Sequence, residues 1–227
     1  AHTFWATLEA IYHVGATPVL VDIKGDGTLD PDKIENAITL KTKAILPVHI
    51  AGNICDMDKI MDIVGENGLK VIEDSAQALC ASKLRGITAC YSFYPAKILG
   101  AYGDGGAVAT NDELTYETIK TLRNHGGKPK PTCVGYNSRL DNLQAAILNA
   151  KLPYLQAFIN RRKEIAEMYT QELAPFSVPS FGTKSKVILP AMRKIYQDYI
   201  IRTPFRDELK EYLEHKGIET LVDVYPF

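Results

Sequence analysis

Lys97 stands in the run Tyr-Ser-Phe-Tyr-Pro-Ala-Lys-Ile-Leu-Gly, which is aromatic and nearly uncharged, just ahead of Gly100, Gly103, Gly105 and Gly106. An ammonium is costly to bury. In apolar surroundings a lysine finds a carboxylate or gives up its proton, and the neutral amine can form a Schiff base with a carbonyl. A surface lysine with its head in water is the plain alternative. Asp74 follows Leu-Lys-Val-Ile-Glu, which reads as a strand. In open α/β sheets, sites lie at the carboxyl ends of strands, although a lone aspartate there also suits a turn or cap. Gln77 would share a helical face with Asp74 if a helix begins there. Ser92 precedes Lys97 by five residues.

The glycines match neither a Walker loop nor a dinucleotide-binding fingerprint after a strand. They read as a loop leading into Gly-Gly-Ala-Val-Ala-Thr. A strand-end carboxylate, a downstream lysine and a nearby hydroxyl suit pyridoxal 5'-phosphate. That cofactor needs an amine for its aldehyde, an acid for its pyridine nitrogen and donors for its phosphate. With the ring nitrogen kept protonated, the ring accepts electrons as an amino acid loses its α-proton, and the released lysine can move that proton.

The elements that must hold these groups alternate between strand and helix. Thr7 to Val14 reads as a helix ended by Gly15, and Thr17 to Ile23 as a β-branched strand. Asp30-Pro31 caps a helix with Ile34, Ala37 and Ile38 on one face. Strands are expected at 43–49, 69–73, 89–93 and 106–110, with helices starting at Asp56 and Asp112. This order argues for a parallel α/β core. Residues 140–174 read mostly as helix, interrupted at Pro153. A loop-rich stretch from 175 to 194 follows. A strand at 195–202, a helix at 206–216 ended by Gly217 and a strand at 218–224 then suggest a second, smaller α+β domain. The expected division is 1–160 for a large α/β domain and 161–227 for a small one.

The chain has 227 residues, 46% apolar and 23% charged, with a net charge of -1. That balance is ordinary for a globular protein and carries no electrostatic footprint for nucleic acid or an anionic membrane. No apolar run reaches membrane-spanning length. Cys55, Cys80, Cys90 and Cys133 lack the CxxC spacing of a metal or redox pair. Reduced thiols in a cytoplasmic protein are the expectation. Both ends fall inside patterned sequence, so a piece of a longer protein is expected.

Six segments in order, HTFWATLEAIYHVGATPVLVDI, KTKAILPVHIAG, VIEDSAQAL, YSFYPAKILGAYGDGGAVATND, LRNHGG and GYNSRLDNLQAAIL, resemble the DegT/DnrJ/EryC1/StrS family. These are sugar aminotransferases of the aspartate-aminotransferase fold (fold type I), with a mixed, mostly parallel sheet flanked by helices. The resemblance implies pyridoxal 5'-phosphate as cofactor and Lys97 as the Schiff-base lysine. It places Asp74 on the pyridine nitrogen, Gln77 near the 3-hydroxyl, Ser92 on the phosphate and Phe4 against the ring, with Trp5 in that place if the register slips by one. Asn137 would reach a partner subunit's site, which implies a homodimer with shared sites. The implied substrates are L-glutamate or glutamine and a nucleotide-linked keto-deoxysugar. His49 and His125 lie in matching segments but read as structural.

Three departures from the family pattern concern the substrate pocket. The stretch between Asp74 and Lys97 is several residues short around Ser82-Lys83-Leu84-Arg85-Gly86. Gln197 stands where histidine is expected, and Asp223-Val224 precedes Tyr225-Pro226 where His-Tyr-Pro is expected. The family's phosphate-binding turn and first helices would precede Ala1. Two other readings follow: a non-catalytic fold-type-I module, and the family's dehydratase branch, which has histidine at the position of Lys97.

Overall fold

The computed structural model describes residues 1–81, 83–176 and 195–222. The Pro179, Gly182 and Pro190 part of the expected linker, Ser82 and Asp223 to Pro226 lie outside them. A four-stranded sheet organises the chain, formed by β1 (Ala44–Ile45), β2 (Lys70–Asp74), β3 (Thr88–Ser92) and β4 (Gly106–Thr110) in that spatial order. The first three strands are parallel, and β4 returns antiparallel to β3. The sheet is therefore mixed and mostly parallel, as expected.

The helices begin and end where side-chain chemistry dictates. In α2 (Met57–Asn67), Asp56 accepts the Lys59 N–H and left-handed Gly68 closes the C-terminus. In α3 (Glu113–Leu122), Asp112 caps through the Thr115 N–H. α1 (Trp5–His13) starts slightly earlier than expected and is followed by left-handed Gly15. α4 (Asn142–Lys151) and α5 (Leu155–Leu173) flank a single 3-10 turn at Leu152–Tyr154, where Pro153 removes a helical donor. α6 (Arg206–His215) ends before Gly217, whose φ is 75°.

Four expected elements differ. Residues 17–23 form only one bridge, Ile23 to Leu29, with Val19 66% exposed. A β-branched run needs a neighbouring strand, and none pairs with it among the described residues. The helix expected after Asp30 is two 3-10 turns, Pro31–Lys33 and Glu35–Ala37. The strand expected at 195–202 forms no described ladder, because its polar groups bond to loops and to α5 instead. Residues 218–222 form no described strand either.

Two apolar clusters hold the layers together. Ile34, Ile45, Cys55, Met57, Ile60, Val64 and Val71 pack α2 against the strands. Ala78, Ala81, Ile98, Leu99, Ala101, Leu148, Leu155, Ile159 and Ile195 join the segment after Lys97 to α4, α5 and the C-terminal portion. Partly buried Ile54 packs against both.

One buried polar group crosses this apolar interior. Glu73, 1% exposed, accepts the main-chain N–H groups of Arg85 and Gly86 at 2.7 and 2.6 Å. Its other oxygen lies 3.0 Å from Nε2 of fully buried His49. Nδ1 of His49 accepts the Cys55 N–H at 3.2 Å, so Nε2 carries the proton and donates to Glu73. Burial favours the protonated carboxyl, but the hydrogen bonds from His49, Gly86 and Arg85 outweigh it and hold Glu73 below the ordinary 4.5. Removing one partner of a buried pair strands the other. Glu73→Ala leaves the buried N–H groups of His49, Arg85 and Gly86 without this acceptor and is expected to cost about 3–5 kcal/mol at neutral pH in urea unfolding, at about 1–3 kcal/mol per unmet donor. A depressed folded-state pKa stabilises above the unfolded-state value and is lost as pH falls through the folded one. Below about pH 4.5 the stability of Glu73→Gln should therefore fall less steeply than that of the unaltered protein; parallel acid limbs would contradict this.

Candidate active site

Asp74 is the last residue of β2 and pairs in register with Cys90 of β3. Side chains alternate across a strand, so Glu73 and Asp74 face opposite ways. Glu73 is buried in the pair with His49, whereas Asp74 is half-buried beyond it. Oδ2 of Asp74 accepts the Thr7 hydroxyl at 2.7 Å, and Oδ1 accepts the Ala76 N–H at 3.1 Å. Thr3 donates to Thr7 in turn at 2.8 Å. A carboxylate has about four lone-pair positions, so Asp74 can still accept a further donor.

The Thr7 bond also places the start of α1 over the end of β2. Phe4 is the N-cap residue of α1, its carbonyl accepts the Thr7 N–H, and its ring is 54% exposed. Trp5 is 50% exposed beside it. Thr3 and Thr7 escaped the sequence reading, because Thr3 precedes α1 and only the turn at its N-cap brings the two hydroxyls together.

Ser92 ends β3, beside the end of β2. Its oxygen accepts the Tyr94 N–H at 3.2 Å, and its O–H donates to no described residue. The chain then folds back sharply. Phe93 donates to Gly105, Ala101 donates to the carbonyl of Phe93, and the Lys97 N–H donates to Tyr94. Lys97 therefore sits on a tight loop leaving the same sheet end as Asp74. It is half-buried, and among the described residues its ammonium has no ion pair or hydrogen-bond partner.

The glycines beside Lys97 serve this path by their lack of bulk. None of Gly100, Gly103, Gly105 and Gly106 has positive φ. A Cβ on Gly100 would collide with the Pro95 carbonyl oxygen, and one on Gly106 with the Tyr91 carbonyl oxygen.

Gln77 follows Asp74 on an irregular connection rather than on a helix. Its Oε1 accepts the N–H of Ala51, and its NH2 donates to no described residue. Ala51 is fully buried with φ of 52°, in the left-handed region that costs a non-glycine residue about 1 kcal/mol. Asn137 lies elsewhere, exposed on a strip pinned to α3 by Tyr136 to Leu122 and Ser138 to Arg123 hydrogen bonds. Its side chain bonds to none of the residues above. His49 is structural, as expected. Cys90 is no rival nucleophile, since burial and the neighbouring Asp74 charge push its thiol up. Among the described residues no group of histidine, cysteine and acidic side chains could hold a metal ion.

This donor set fits pyridoxal phosphate. Among the described residues it offers a carboxylate with spare accepting capacity, an amine without a partner, a hydroxyl and an amide whose donors bond to nothing else, and an exposed ring.

The whole chain, residues 1–227, matches the DegT/DnrJ/EryC1/StrS aminotransferase family and belongs to it. It is 44% identical over 236 residues to a pleiotropic regulatory protein of Geobacillus stearothermophilus, covering 100% of this chain and 62% of that protein. It is 41% identical over 236 residues to a dTDP-3-amino-3,4,6-trideoxy-alpha-D-glucose transaminase of Streptomyces venezuelae, covering 100% of this chain and 61% of that one. The crystal structure of NtdA from Bacillus subtilis with bound PMP superposes with a TM-score of 0.90 at 34% identity, over 100% of this chain and 54% of that one. The chain thus spans about three-fifths of the length of the curated relatives it matches. Its fold is that of the pyridoxal-phosphate aminotransferases.

The Gln77 contact yields a stability test. Gln77→Ala leaves the buried Ala51 N–H without its acceptor and is expected to cost about 1–3 kcal/mol in urea unfolding. Gln77→Glu, which restores an acceptor, should recover most of that loss. Equal losses in both variants would mean that the hydrogen bond is not what Gln77 contributes.

Proposed function

We propose that this chain carries the cofactor site of a pyridoxal-phosphate aminotransferase, which moves an amino group from L-glutamate or glutamine to a nucleotide-linked keto-deoxysugar. The observation that carries this reading is the placement of a half-buried Lys97, without a side-chain partner among the described residues, at the sheet end where Asp74 still has accepting capacity. Lys97 would bond the cofactor's aldehyde. Asp74 would accept the proton-bearing pyridine nitrogen, with Thr7 orienting the carboxylate. The free NH2 of Gln77 would reach the 3-hydroxyl, Ser92 would donate to the phosphate and Phe4 would cover the ring. When bound, the cofactor supplies an electron sink for the carbon that loses its proton. Nζ of Lys97 would take the α-proton of the amino acid and return a proton to the sugar carbon.

The substrate class draws on the transaminase name of the Streptomyces relative. A homodimer with shared sites, to which Asn137 contributes, is supported by the exposed apolar side chains around it: Val134 94%, Tyr136 63% and Leu143 71% exposed. The four free cysteines support a cytoplasmic location. Among the described residues no helix is long and apolar enough to cross a membrane. The large domain would comprise 1–160 and the small one 161–227, dividing within α5. Lys97 disfavours the dehydratase alternative, which has histidine there. The regulatory name of the Geobacillus relative favours the non-catalytic reading, in which no cofactor binds.

Absorption spectra separate these readings. Protein mixed with pyridoxal phosphate should develop a visible band that L-glutamate bleaches, and Lys97→Ala should not. Transaminase turnover in Lys97→Ala should fall at least about 100-fold, the scale of a lost acid–base group. If the unaltered protein forms no band, the enzyme reading fails. Thr7→Val should weaken cofactor binding about fivefold, matching one hydrogen bond of about 1 kcal/mol. An unchanged affinity would show that Thr7 does not orient Asp74.

A further inference from the structure

Gln197 is 8% exposed and stands about one hundred residues from Lys97 in sequence, yet it grips the backbone on both sides of that lysine. Its Oε1 accepts the Ile98 N–H at 3.2 Å, and its Nε2 donates to the Ala96 carbonyl at 3.0 Å. These two groups belong to the two peptide units that flank the Lys97 Cα. The third backbone restraint is the Lys97 N–H, which donates to Tyr94 at 2.8 Å. Gln197 is itself held from both sides. Its N–H donates to the Ala51 carbonyl at 3.2 Å, and its carbonyl accepts Nη1 of Arg162 on α5 at 2.9 Å. Ala51 in turn donates to Gln77. A continuous chain of contacts therefore runs from Gln77 through Ala51 and Gln197 to the backbone of Lys97.

We propose that Gln197 is the positioning residue of Lys97, fixing the lysine backbone relative to the Asp74–Gln77 strand end so that only its side chain is left to move. The role rests on the reading of Lys97 as the cofactor-bonding amine. An amide suits it because both bonds are needed at once, one accepted and one donated. A carboxylate cannot donate to Ala96, and an aliphatic side chain can do neither. A neutral imidazole offers one acceptor and one donor, but a protonated one offers two donors and must release Ile98. Because an amide does not titrate, the clamp holds across the pH range in which a histidine at this position would fail.

The experiment uses the complete protein with two readouts. Hydrogen exchange at the Ile98 amide, without cofactor, reads the clamp. Incubation with pyridoxal phosphate, borohydride reduction and peptide mapping read the labelling rate of Lys97. In Gln197→Ala, Ile98 exchange should rise about tenfold or more, as expected for a buried N–H that loses its acceptor. Lys97 labelling should slow by a similar factor while surface lysines label unchanged. Gln197→His needs no comparison between separately folded variants. It should behave like the unaltered protein at pH 8 and like Gln197→Ala at pH 5, crossing over near the imidazole's ordinary titration at about 6.5. Faster Ile98 exchange with Lys97 labelling at the normal rate would make Gln197 a structural stitch and overturn the proposal. Unchanged Ile98 exchange would overturn it as well. If the unaltered protein leaves Lys97 unlabelled, the cofactor reading fails first and the positioning role fails with it.

Discussion

Everything at the candidate site depends on where the buried carboxylate of Glu73 is anchored. One oxygen takes the His49 ring and the other takes two main-chain N–H groups. Those partners come from the segment that follows β1 and from the segment that leads into β3. A single side chain therefore ties together the three pieces of chain whose ends make the crevice. His49 carries the tie further, because its other nitrogen receives Cys55 at the approach to α2. An unpaired carboxylate at this depth would cost several kcal/mol. The surrounding backbone is thus committed to one arrangement, and the two-residue pleat of β2 then sets the aspect of Asp74. Two neighbouring acids in the sequence have opposite roles for that reason alone. One is satisfied inside the protein, and the next is left with capacity to spare.

The second organising point is Ala51. Its N–H and carbonyl bond to two glutamines far apart in sequence, Gln77 from the connection between β2 and β3 and Gln197 from the C-terminal portion. A non-glycine residue at φ of 52° is tolerated when the bonds on either side over-determine it. Gly52, also at positive φ, follows because a Cβ there would press on the Ile195 carbonyl. This pair of residues lets the segment at 195–197 lie against the loop after β1 without forming a strand.

Local chemistry in the sequence was a sound guide wherever the answer was local. Asp56, Asp112 and Gly217 mark helix ends that the structure keeps, since a cap needs only residues within one turn. The strands expected at 69–73 and 89–93 fall within one residue of β2 and β3, which find their partners in the sheet. Thr17 to Ile23 was not legible, because strand formation depends on a neighbour that the segment's own composition cannot supply. The contact of Gln197 with Lys97 was hidden further still. Nothing in the pattern of either segment requires the other, and only the fold brings a glutamine across about one hundred residues to the lysine. Sequence comparison had marked Gln197 merely as a departure. Its meaning comes from the two peptide groups it holds.

These restraints together define what is free to move around Lys97. The glycines before β4 contribute closeness, not unusual backbone angles, so the loop is pressed against Pro95 and Tyr91 and has no slack of its own. Tyr94 accepts the N–H of the lysine itself, and Gln197 bonds the Ala96 carbonyl and the Ile98 N–H on either side of it. A loop this constrained leaves the four-carbon stem as the remaining source of motion. In the role proposed for it, Lys97 would bond a carbonyl, let go and then move a proton, and would need that combination. Its origin has to be fixed to a fraction of an ångström, while its amine sweeps a short arc. A stiff backbone under a flexible stem meets both demands, and here the stiffness is supplied by an uncharged amide whose two bonds do not depend on its own protonation.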